Sequence, residues 1–128
     1  MSEPSDDDVF DLADRLFACI EQGDLESIHH LYDRDIIVWG NFDGREQDLH
    51  RSMKILHWMV SNLSDRRYEV TRRERLADGF LQEHVLHGTA PDGTAIAMPA
   101  CIIATVADGR ITRINEYLDP AAMAPLTA

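Results

Sequence analysis

The chain has 128 residues, which is the size of one ordinary domain. Hydrophobic residues make up 45% and charged residues 27%, the proportions of a folded globular protein. Twelve Lys and Arg against 23 Asp and Glu give a formal net charge of −11. Nucleic acids and anionic membranes are therefore not expected as partners, because both are bound through clustered cations. The arginines occur singly or in short runs such as Arg66-Arg67 and Arg72-Arg73, a pattern typical of surface charge.

Three features of the sequence predict a cytoplasmic protein. No apolar run approaches the roughly 18 residues that a membrane span requires. Residues 1–8 lack the basic and apolar regions of a signal peptide. Cys19 and Cys101 form no CxxC pair and lie among apolar neighbours, which predicts buried free thiols in a reducing compartment.

Hydrophobic periodicity predicts helices at the start of the chain. Residues 1–7 are polar and acidic and are expected to form a flexible tail, followed by a single domain over residues 8–128. Gly23 is expected to end the first helix, and Asp24 to cap a second, shorter one. The first helix carries apolar residues at three- and four-residue spacing, namely Val9, Phe10, Leu12, Ala13, Leu16, Phe17 and Ile20.

The next segment predicts a strand, a loop and a third helix. Residues 36–39 form a β-branched run that is typical of a strand. Gly, Asn and Asp residues over 40–44 indicate a loop. A helix is expected over 45–63, with an apolar face of Leu49, Met53, Leu56, Val60 and Leu63.

The second half of the chain changes toward a period of two, which predicts strands. An Asp-Gly pair lies in each turn between them, and Asp-Gly is a strong hairpin signal. The order of elements predicts an α+β fold with three N-terminal helices packed on a curved antiparallel sheet. Such a cone has one open mouth, and small-molecule sites favour concavities of this kind. The four strands are expected over 67–76, 80–88, 94–107 and 110–118.

Known chemical motifs are absent from the sequence. It contains no GxGxxG, P-loop, GxSxG or HExxH motif, so nucleotide and hydrolase-fold chemistry have no support. His50 and His57 are seven residues apart on the third predicted helix, whereas a metal-binding pair on a helix needs three- or four-residue spacing. We therefore expect neither a metal nor a cofactor.

Two ionisable residues interrupt otherwise apolar strand faces. Alternation places His84 beside Phe80 and Leu86, and Glu116 beside Ile114. Inside a cone, the imidazole and the carboxylate could form a proton-transfer pair, with the carboxylate shifted in pKa by burial. The alternative is that both point to water, as charged residues on strands usually do.

The chain resembles the NTF2-like superfamily in the order of its elements and in the stretch GRITRINEYLD at residues 109–119. Within that superfamily it is most similar to the SnoaL-like polyketide cyclase and limonene-epoxide hydrolase branch, from Asp8 to about Leu126. The resemblance implies a cystatin-like α+β cone, commonly a homodimer formed through the outer face of the sheet. That face is predicted to be too apolar for a monomer's exposed surface, since it would carry Leu81, Val85, Cys101 and Ile103.

The resemblance also implies site residues. Glu116 matches a catalytic Asp of the epoxide hydrolases, Asn41 matches an Asn that helps to hold the hydrolytic water, and Trp39 stands in place of a Tyr. The family's Arg-x-Asp on the middle strand reads His84-Val85-Leu86 here, so the second carboxylate is missing. Glu116, His84 and Asn41 are thus the expected catalytic residues. The expected substrate-binding wall is Trp39, Met53, Leu56, Val60, Leu86, Met98, Ala100, Ile102 and Ile114.

Other branches of the superfamily narrow the expected chemistry. Ketosteroid isomerases use an Asp base at the end of the first strand, where this chain has Gly40. SnoaL-type cyclases instead use an acid on the last strand, assisted by a pocket His. Glu116 with His84 looks like a variant of that arrangement.

Two classes of function stay open. The first is a cofactor-independent enzyme, in which Glu116 is the general base and His84 the partner acid or orienter, acting on a mostly apolar carbonyl- or epoxide-bearing molecule. The second is a non-catalytic ligand-binding or dimerisation module. An open pocket that contains both side chains would favour the enzyme. A cavity filled by Trp39, Trp58 and Met side chains would favour the module.

Overall fold

The structure is a computed structural model that describes residues 6–127. Residues 1–5 of the predicted tail lie outside the described residues, and the first helix begins at Asp6. The helices are α1 (Asp6–Gln22), α2 (Leu25–Leu31), α3 (Leu49–Asn62) and α4 (Ala124–Thr127), the last preceded by a 3₁₀ turn (Pro120–Met123). The strands are β1 (Tyr32–Gly40), β2 (Glu46–Gln47), β3 (Ser64–Leu76), β4 (Gly79–Thr89), β5 (Ala95–Ala107) and β6 (Arg110–Leu118).

The six strands form one curved sheet in the order β2-β1-β6-β5-β4-β3. The predicted α+β architecture is confirmed, and so are the hairpins that join β3 to β6. One correction concerns β1, which runs parallel to β6 rather than antiparallel. The chain between them contains α3 and three strands, and a connection of that length permits parallel pairing. The pairing brings the end of β1 beside Glu116.

The segment before α3 also differs from the prediction. The helix begins at Leu49, because the Asp48 carboxylate caps it by accepting a hydrogen bond from the Arg51 N–H at 2.9 Å. The preceding residues Glu46 and Gln47 pair with β1 as the short strand β2, opposite Trp39 and Val38. This edge strand turns Gln47 toward the interior, where the side chain is buried.

Helices α1, α2 and α3 cover one face of the sheet and enclose the core with it. The apolar stripe of α1 is buried as predicted, with Leu16 and Val9 each 1% exposed. The residues after Pro120 join a second core cluster with one end of β4, β5 and β6, whose members include Leu126, Leu118 and Met98. The C-terminal turns thereby cover this end of the sheet.

Residues 6–127 contain no helix with both the length and the apolarity that a membrane crossing requires. Cys19 and Cys101 are free thiols, each half-buried. The reducing, cytoplasmic compartment stays a prediction.

Arg66 is a structural residue and not surface charge. Its guanidinium donates to the carbonyl oxygens of Ile20 at 2.8 Å, Glu21 at 3.2 Å and Val60 at 3.0 Å, and also to that of Leu63. These carbonyls belong to the C-terminal ends of α1 and α3. No further helical turn follows there, so the carbonyl oxygens lack the backbone N–H donors that they would have inside a helix. One side chain therefore satisfies and joins two helix ends.

We expect Arg66→Ala to lower the free energy of unfolding by about 2 kcal/mol, because it leaves several carbonyls without their charged donor. Chemical denaturation with urea measures this directly. The neighbouring Arg67 is exposed, so Arg67→Ala is the matched control and should change stability by less than about 0.5 kcal/mol. Equal effects of the two substitutions would contradict the role assigned to Arg66.

Candidate active site

A cavity of about 150 Å³ lies between α1, α3 and the concave face of the sheet. A cavity of this volume accepts a molecule about the size of benzene. Most of its lining is apolar, and three exposed side chains at its rim, Phe42, Ile55 and Trp58, line the opening to solvent. The cone thus has the open mouth that the order of elements predicts.

Most of the predicted site residues line this cavity. Both ionisable residues do so, and they are joined by six of the nine residues expected for the apolar wall. These are His84, Glu116, Trp39, Leu56, Leu86, Met98, Ile102 and Ile114. The side chains of Trp39 and Trp58 border the space without filling it.

Three predicted wall residues, Met53, Val60 and Ala100, are not part of the lining. Met53 packs against the main core instead. Val60 is turned toward Gly23, at the junction of α1 and α2. Ala100 lies between its neighbours His84 and Leu118 in the sheet, and its methyl group is too short to reach past them.

Asn41 also falls outside the cavity lining, and its expected role in holding a water molecule stays a prediction. Its side-chain oxygen accepts a hydrogen bond from the Leu118 N–H at 2.9 Å, and its backbone N–H donates to the Glu116 carbonyl at 3.0 Å. The residue therefore ties the loop after β1 to the end of β6. This contact positions Glu116 from outside the cavity.

Glu116 is held on β6 between Gly40 of β1 and Ile102 of β5. A Cβ atom at Gly40 would lie 2.4 Å from the ring of Phe42, so a larger residue there would displace this exposed side chain at the mouth of the cavity. Within residues 8–127, the Glu116 carboxylate has no hydrogen-bond or ion-pair partner. Burial raises its pKa from the ordinary 4.5 to about 7. The side chain is therefore a free carboxylate whose pKa is suited to proton transfer near neutral pH.

Tyr32 and Tyr68 complete the surroundings of Glu116, and the sequence analysis did not identify them. Both line the cavity. Burial raises the pKa of each phenol, and the nearby Glu116 charge raises it further. Both hydroxyls therefore stay protonated at neutral pH and can donate hydrogen bonds to an oxygen in the cavity.

His84 is buried, 3% exposed, between two aromatic rings. Its ring centroid lies 5.4 Å from that of Phe17 and 4.9 Å from that of Tyr68, both in edge-to-face geometry. Burial, and then the charge of Arg73, lower the pKa of His84 from 6.5 to about 4. The imidazole is therefore neutral at pH 7.

A chain of hydrogen bonds determines which nitrogen of His84 carries the proton. Arg73 donates from Nε and Nη2 to the Gln82 side-chain oxygen at 2.9 and 2.7 Å, and Asp14 of α1 holds the same guanidinium at 2.6 Å. The Gln82 amide nitrogen then lies 2.9 Å from His84 Nδ1. Because the Gln82 oxygen is already occupied, its NH₂ group donates to Nδ1, and the imidazole proton resides on Nε2. Arg73, like Arg66, is therefore structural and not surface charge.

Gln82→Glu tests this arrangement. A carboxylate can still accept from Arg73 but cannot donate to Nδ1, so we expect His84 to carry a proton on Nδ1 in the variant. Nitrogen-15 NMR of the imidazole distinguishes the two states, and the exposed Gln22→Glu is the control. A His84 Nδ1 that stays unprotonated in Gln82→Glu would contradict the assignment.

His84 and Glu116 do not form an ion pair. In the sheet they lie on β4 and β6 with β5 between them, which separates their Cα atoms by about 10 Å. His84 therefore does not lower the pKa of Glu116. The two groups border the same cavity from different strands, so a ligand between them would contact both.

The side chains of residues 8–127 bring together no cluster of three His, Cys, Asp or Glu able to hold a metal ion. The helices packed on one curved sheet, with an open cavity between them, define a protein of the NTF2-like fold.

Comparison with known families identifies the chain more closely. Residues 13–114 match the SnoaL-like domain family, and the chain belongs to that family. No curated protein sequence matches it significantly.

Solved structures share the fold at low sequence identity. A protein provisionally named a SnoaL-like polyketide cyclase, from Shewanella putrefaciens, is 14% identical with a TM-score of 0.80, covering 98% of both chains. An M. tuberculosis LEH-like epoxide hydrolase is 17% identical with a TM-score of 0.80, covering 97% of this chain and 92% of that one. AclR of Streptomyces galilaeus, provisionally named a hydroxylase, is 15% identical with a TM-score of 0.84, covering 96% and 98%. Their different names mean that the shared fold does not specify the reaction.

Proposed function

We propose that the protein catalyses proton transfer next to a carbonyl group in a small, mostly apolar molecule, as a cyclase or isomerase. The observation that carries the proposal is the Glu116 carboxylate, which lies without a protein partner in an apolar cavity beside neutral hydrogen-bond donors. A carboxylate in that environment is poorly solvated, which raises its pKa toward neutral pH. An aqueous carboxylate with its ordinary pKa would be a much weaker base.

The proposed reaction begins when Glu116 removes a proton from the carbon next to the carbonyl. The electron pair of the C–H bond forms the enolate, and the charge on its oxygen is stabilised by hydrogen bonds from His84 Nε2–H and a tyrosine hydroxyl. In an isomerase, protonated Glu116 returns the proton to another carbon. In a cyclase, the enolate carbon attacks a second carbonyl of the same molecule, and the resulting alkoxide takes the proton from Glu116. Every step is a proton transfer or carbon–carbon bond formation, so the proposed reaction requires no cofactor.

Epoxide hydrolysis is the less favoured reaction. It needs a water molecule held for attack, and Asn41, which the resemblance assigns to that task, is bonded to Leu118 outside the cavity. Leu86 occupies the position of the second carboxylate and lines the cavity with an apolar side chain. Acid–base chemistry on a carbonyl uses only the groups that border the cavity.

A non-catalytic ligand-binding module is the alternative class of function. In that case, we would expect the half-buried Glu116 carboxylate to be paired with a protein group, because an unpaired charge out of water is costly. Glu116 has no such partner within residues 8–127, and the mouth of the cavity is open. Both observations favour an enzyme.

Hydrogen–deuterium exchange of small ketones tests the proposal without knowledge of the natural substrate. Cyclohexanone and 2-cyclohexenone in D₂O would be followed by proton NMR with and without the protein. We expect the protein to accelerate exchange of the protons next to the carbonyl. Bound ketones that exchange no faster than in buffer would leave the ligand-binding module as the better explanation.

We further propose that the protein is a homodimer formed through the outer face of the sheet. Leu81 and Ile103 lie opposite each other on that face, and Cys101 lies opposite Tyr117, whose ring is 42% exposed. Burying such a patch in an interface would remove apolar surface from water.

Light scattering at micromolar concentration should give the mass of two chains. Ile103→Arg places a charge at the centre of the patch and should shift this mass to that of one chain, whereas Arg110→Ala at an exposed turn should not. A mass of one chain for the unaltered protein would contradict the dimer.

A further inference from the structure

Ser52 is a buried hydroxyl group in the wall of the cavity. It lies on the first turn of α3, is 5% exposed, and its Oγ has no hydrogen-bond partner within the described part of the chain. A helical serine usually donates to a carbonyl of its own helix, as Ser61 does on α3, where its Oγ lies 2.8 Å from the His57 carbonyl. Ser52 makes no such bond, although the same kind of acceptor is available along the helix.

Gln47 lies near the same end of the cavity. Its side chain is 8% exposed, lines the cavity, and has no hydrogen-bond partner among residues 8–127. It pairs with Val38 in the sheet, and Val38 pairs with Ile114 of β6. Gln47 and Ser52 are thus two buried polar groups without partners that approach the cavity from β2 and α3.

These two residues lie on the side of Glu116 opposite to His84. The sheet order is β2-β1-β6-β5-β4, with Gln47 on β2, Glu116 on β6 and His84 on β4. Each outer strand is two strand spacings, about 10 Å, from β6. A ligand whose carbonyl lies between Glu116 and His84 would therefore extend its other end toward Gln47 and Ser52.

The chemistry of the two side chains indicates what that end carries. A hydroxyl and an amide are neutral, and each can both donate and accept a hydrogen bond. The nearest lining cation, Arg45, is exposed at the mouth of the cavity, so the buried end offers no charge to bind a carboxylate or phosphate. A neutral hydroxyl or ketone oxygen is the complementary group.

We infer that Ser52 and Gln47 form a second polar subsite, which selects ligands with a neutral hydroxyl or ketone oxygen on the side remote from the reacting carbonyl. The inference rests on the proposed function for the placement of that carbonyl, and it does not depend on turnover. The Ser52 hydroxyl is inaccessible to solvent and has no partner within the described residues, which is costly in the free protein because a buried polar group without a hydrogen bond is destabilising. A ligand oxygen would satisfy both Ser52 and Gln47.

Matched ketones test the subsite by calorimetric titration. Cyclohexanone has one oxygen, and 4-hydroxycyclohexanone and 1,4-cyclohexanedione carry a second across the ring. We expect the unaltered protein to bind the two-oxygen ketones about tenfold more tightly than cyclohexanone. Ser52→Ala and Gln47→Leu should each remove most of this preference, and Ser61→Ala on the same helix should retain it.

Thermal unfolding separates recognition from a structural role. Because Ser52 Oγ has no partner in the free protein, Ser52→Ala should leave the melting temperature unchanged or raise it. A lowered melting temperature with an unaltered ketone preference would overturn the subsite. Binding of all three ketones with equal affinity would overturn it as well, while leaving the proposed reaction intact. Failure of every ketone to bind would contradict both.

Discussion

Glu116→Gln is expected to lower the rate of ketone exchange or turnover by about a hundredfold or more, the scale typical of losing a general base. Glutamine retains the volume of the side chain and one acceptor oxygen, but it cannot take up a proton at neutral pH. Because the substrate contacts of the apolar wall remain, ligand affinity should change little, and the loss should fall on kcat.

The control for this substitution is Glu83→Gln. Glu83 lies on the outer face of β4 and pairs with Arg72 at 3.2 Å, away from the cavity. The same chemical change there should leave the rate unaltered. If Glu116→Gln retained the full rate of the unaltered protein, Glu116 would not be the base, and the ligand-binding module would become the better explanation.

The second large effect is a pH-dependent gain in stability in the same variant. Burial raises the folded-state pKa of Glu116 from 4.5 to about 7, so the native protein binds the proton more tightly than the unfolded chain. Native stability is therefore lost as pH rises from 4.5 through 7, where the carboxylate must ionise in the cavity. Between these pH values the free energy of unfolding falls by about 3 kcal/mol in total. The Glu116→Gln variant does not lose this stability, because a glutamine side chain does not ionise.

The measurement is urea denaturation of both proteins at pH 4 and pH 8. The stability of Glu116→Gln relative to the unaltered protein should rise by about 3 kcal/mol between these pH values. His84 acts with the opposite sign, because its lowered pKa costs stability as pH falls from 6.5 through about 4. That contribution is common to both proteins and cancels in the difference. A difference that does not change with pH would mean that Glu116 has an ordinary pKa.

The fold could be predicted from local signals. The Asp-Gly turns locate the hairpins, and Asp108 and Gly109 both have the positive φ, 52° and 75°, that a tight hairpin turn requires. The apolar residues at three- and four-residue spacing on α1 and the alternation on β4 identify which faces of these elements are buried. The parallel pairing of β1 with β6 involves residues some 75 positions apart, and nothing in the sequence of either strand specifies its direction.

The site could be predicted in part, because strand alternation indicates which side chains point inward only where the register of the strand does not shift. His84 lies on β4, whose pairing with β5 shows no register shift, so counting from the turn gives its inward orientation correctly. On β6 the register with β5 shifts between Ile111 and Arg113, and the inward orientation of Glu116 follows from the alternation with Ile114 beyond that shift. Tyr68 was missed because of a bulge between Val70 and Arg72 in β3. Counting back from the turn would place Tyr68 opposite His87 on the outer face, whereas the shifted register places it opposite Leu86, inside.

The arginines and Asn41 could not be assigned from the sequence, because their roles depend on distant partners. Arg66 binds the end of α1 some 45 residues away, and Arg73 binds Asp14, 59 residues away. A long polar side chain on a strand carries no local sign of such a contact. The same is true of Asn41, whose partner Leu118 is 77 residues distant.

The most direct measurement is the titration of the Glu116 carboxyl group itself by carbon-13 NMR, in protein labelled at the glutamate side chains. The signal missing from Glu116→Gln identifies the resonance. We predict an apparent pKa near 7, well above the ordinary glutamate value of 4.5. A Glu116 resonance that titrates near 4.5 would show a solvated carboxylate and would contradict the assignment of this residue as a buried base.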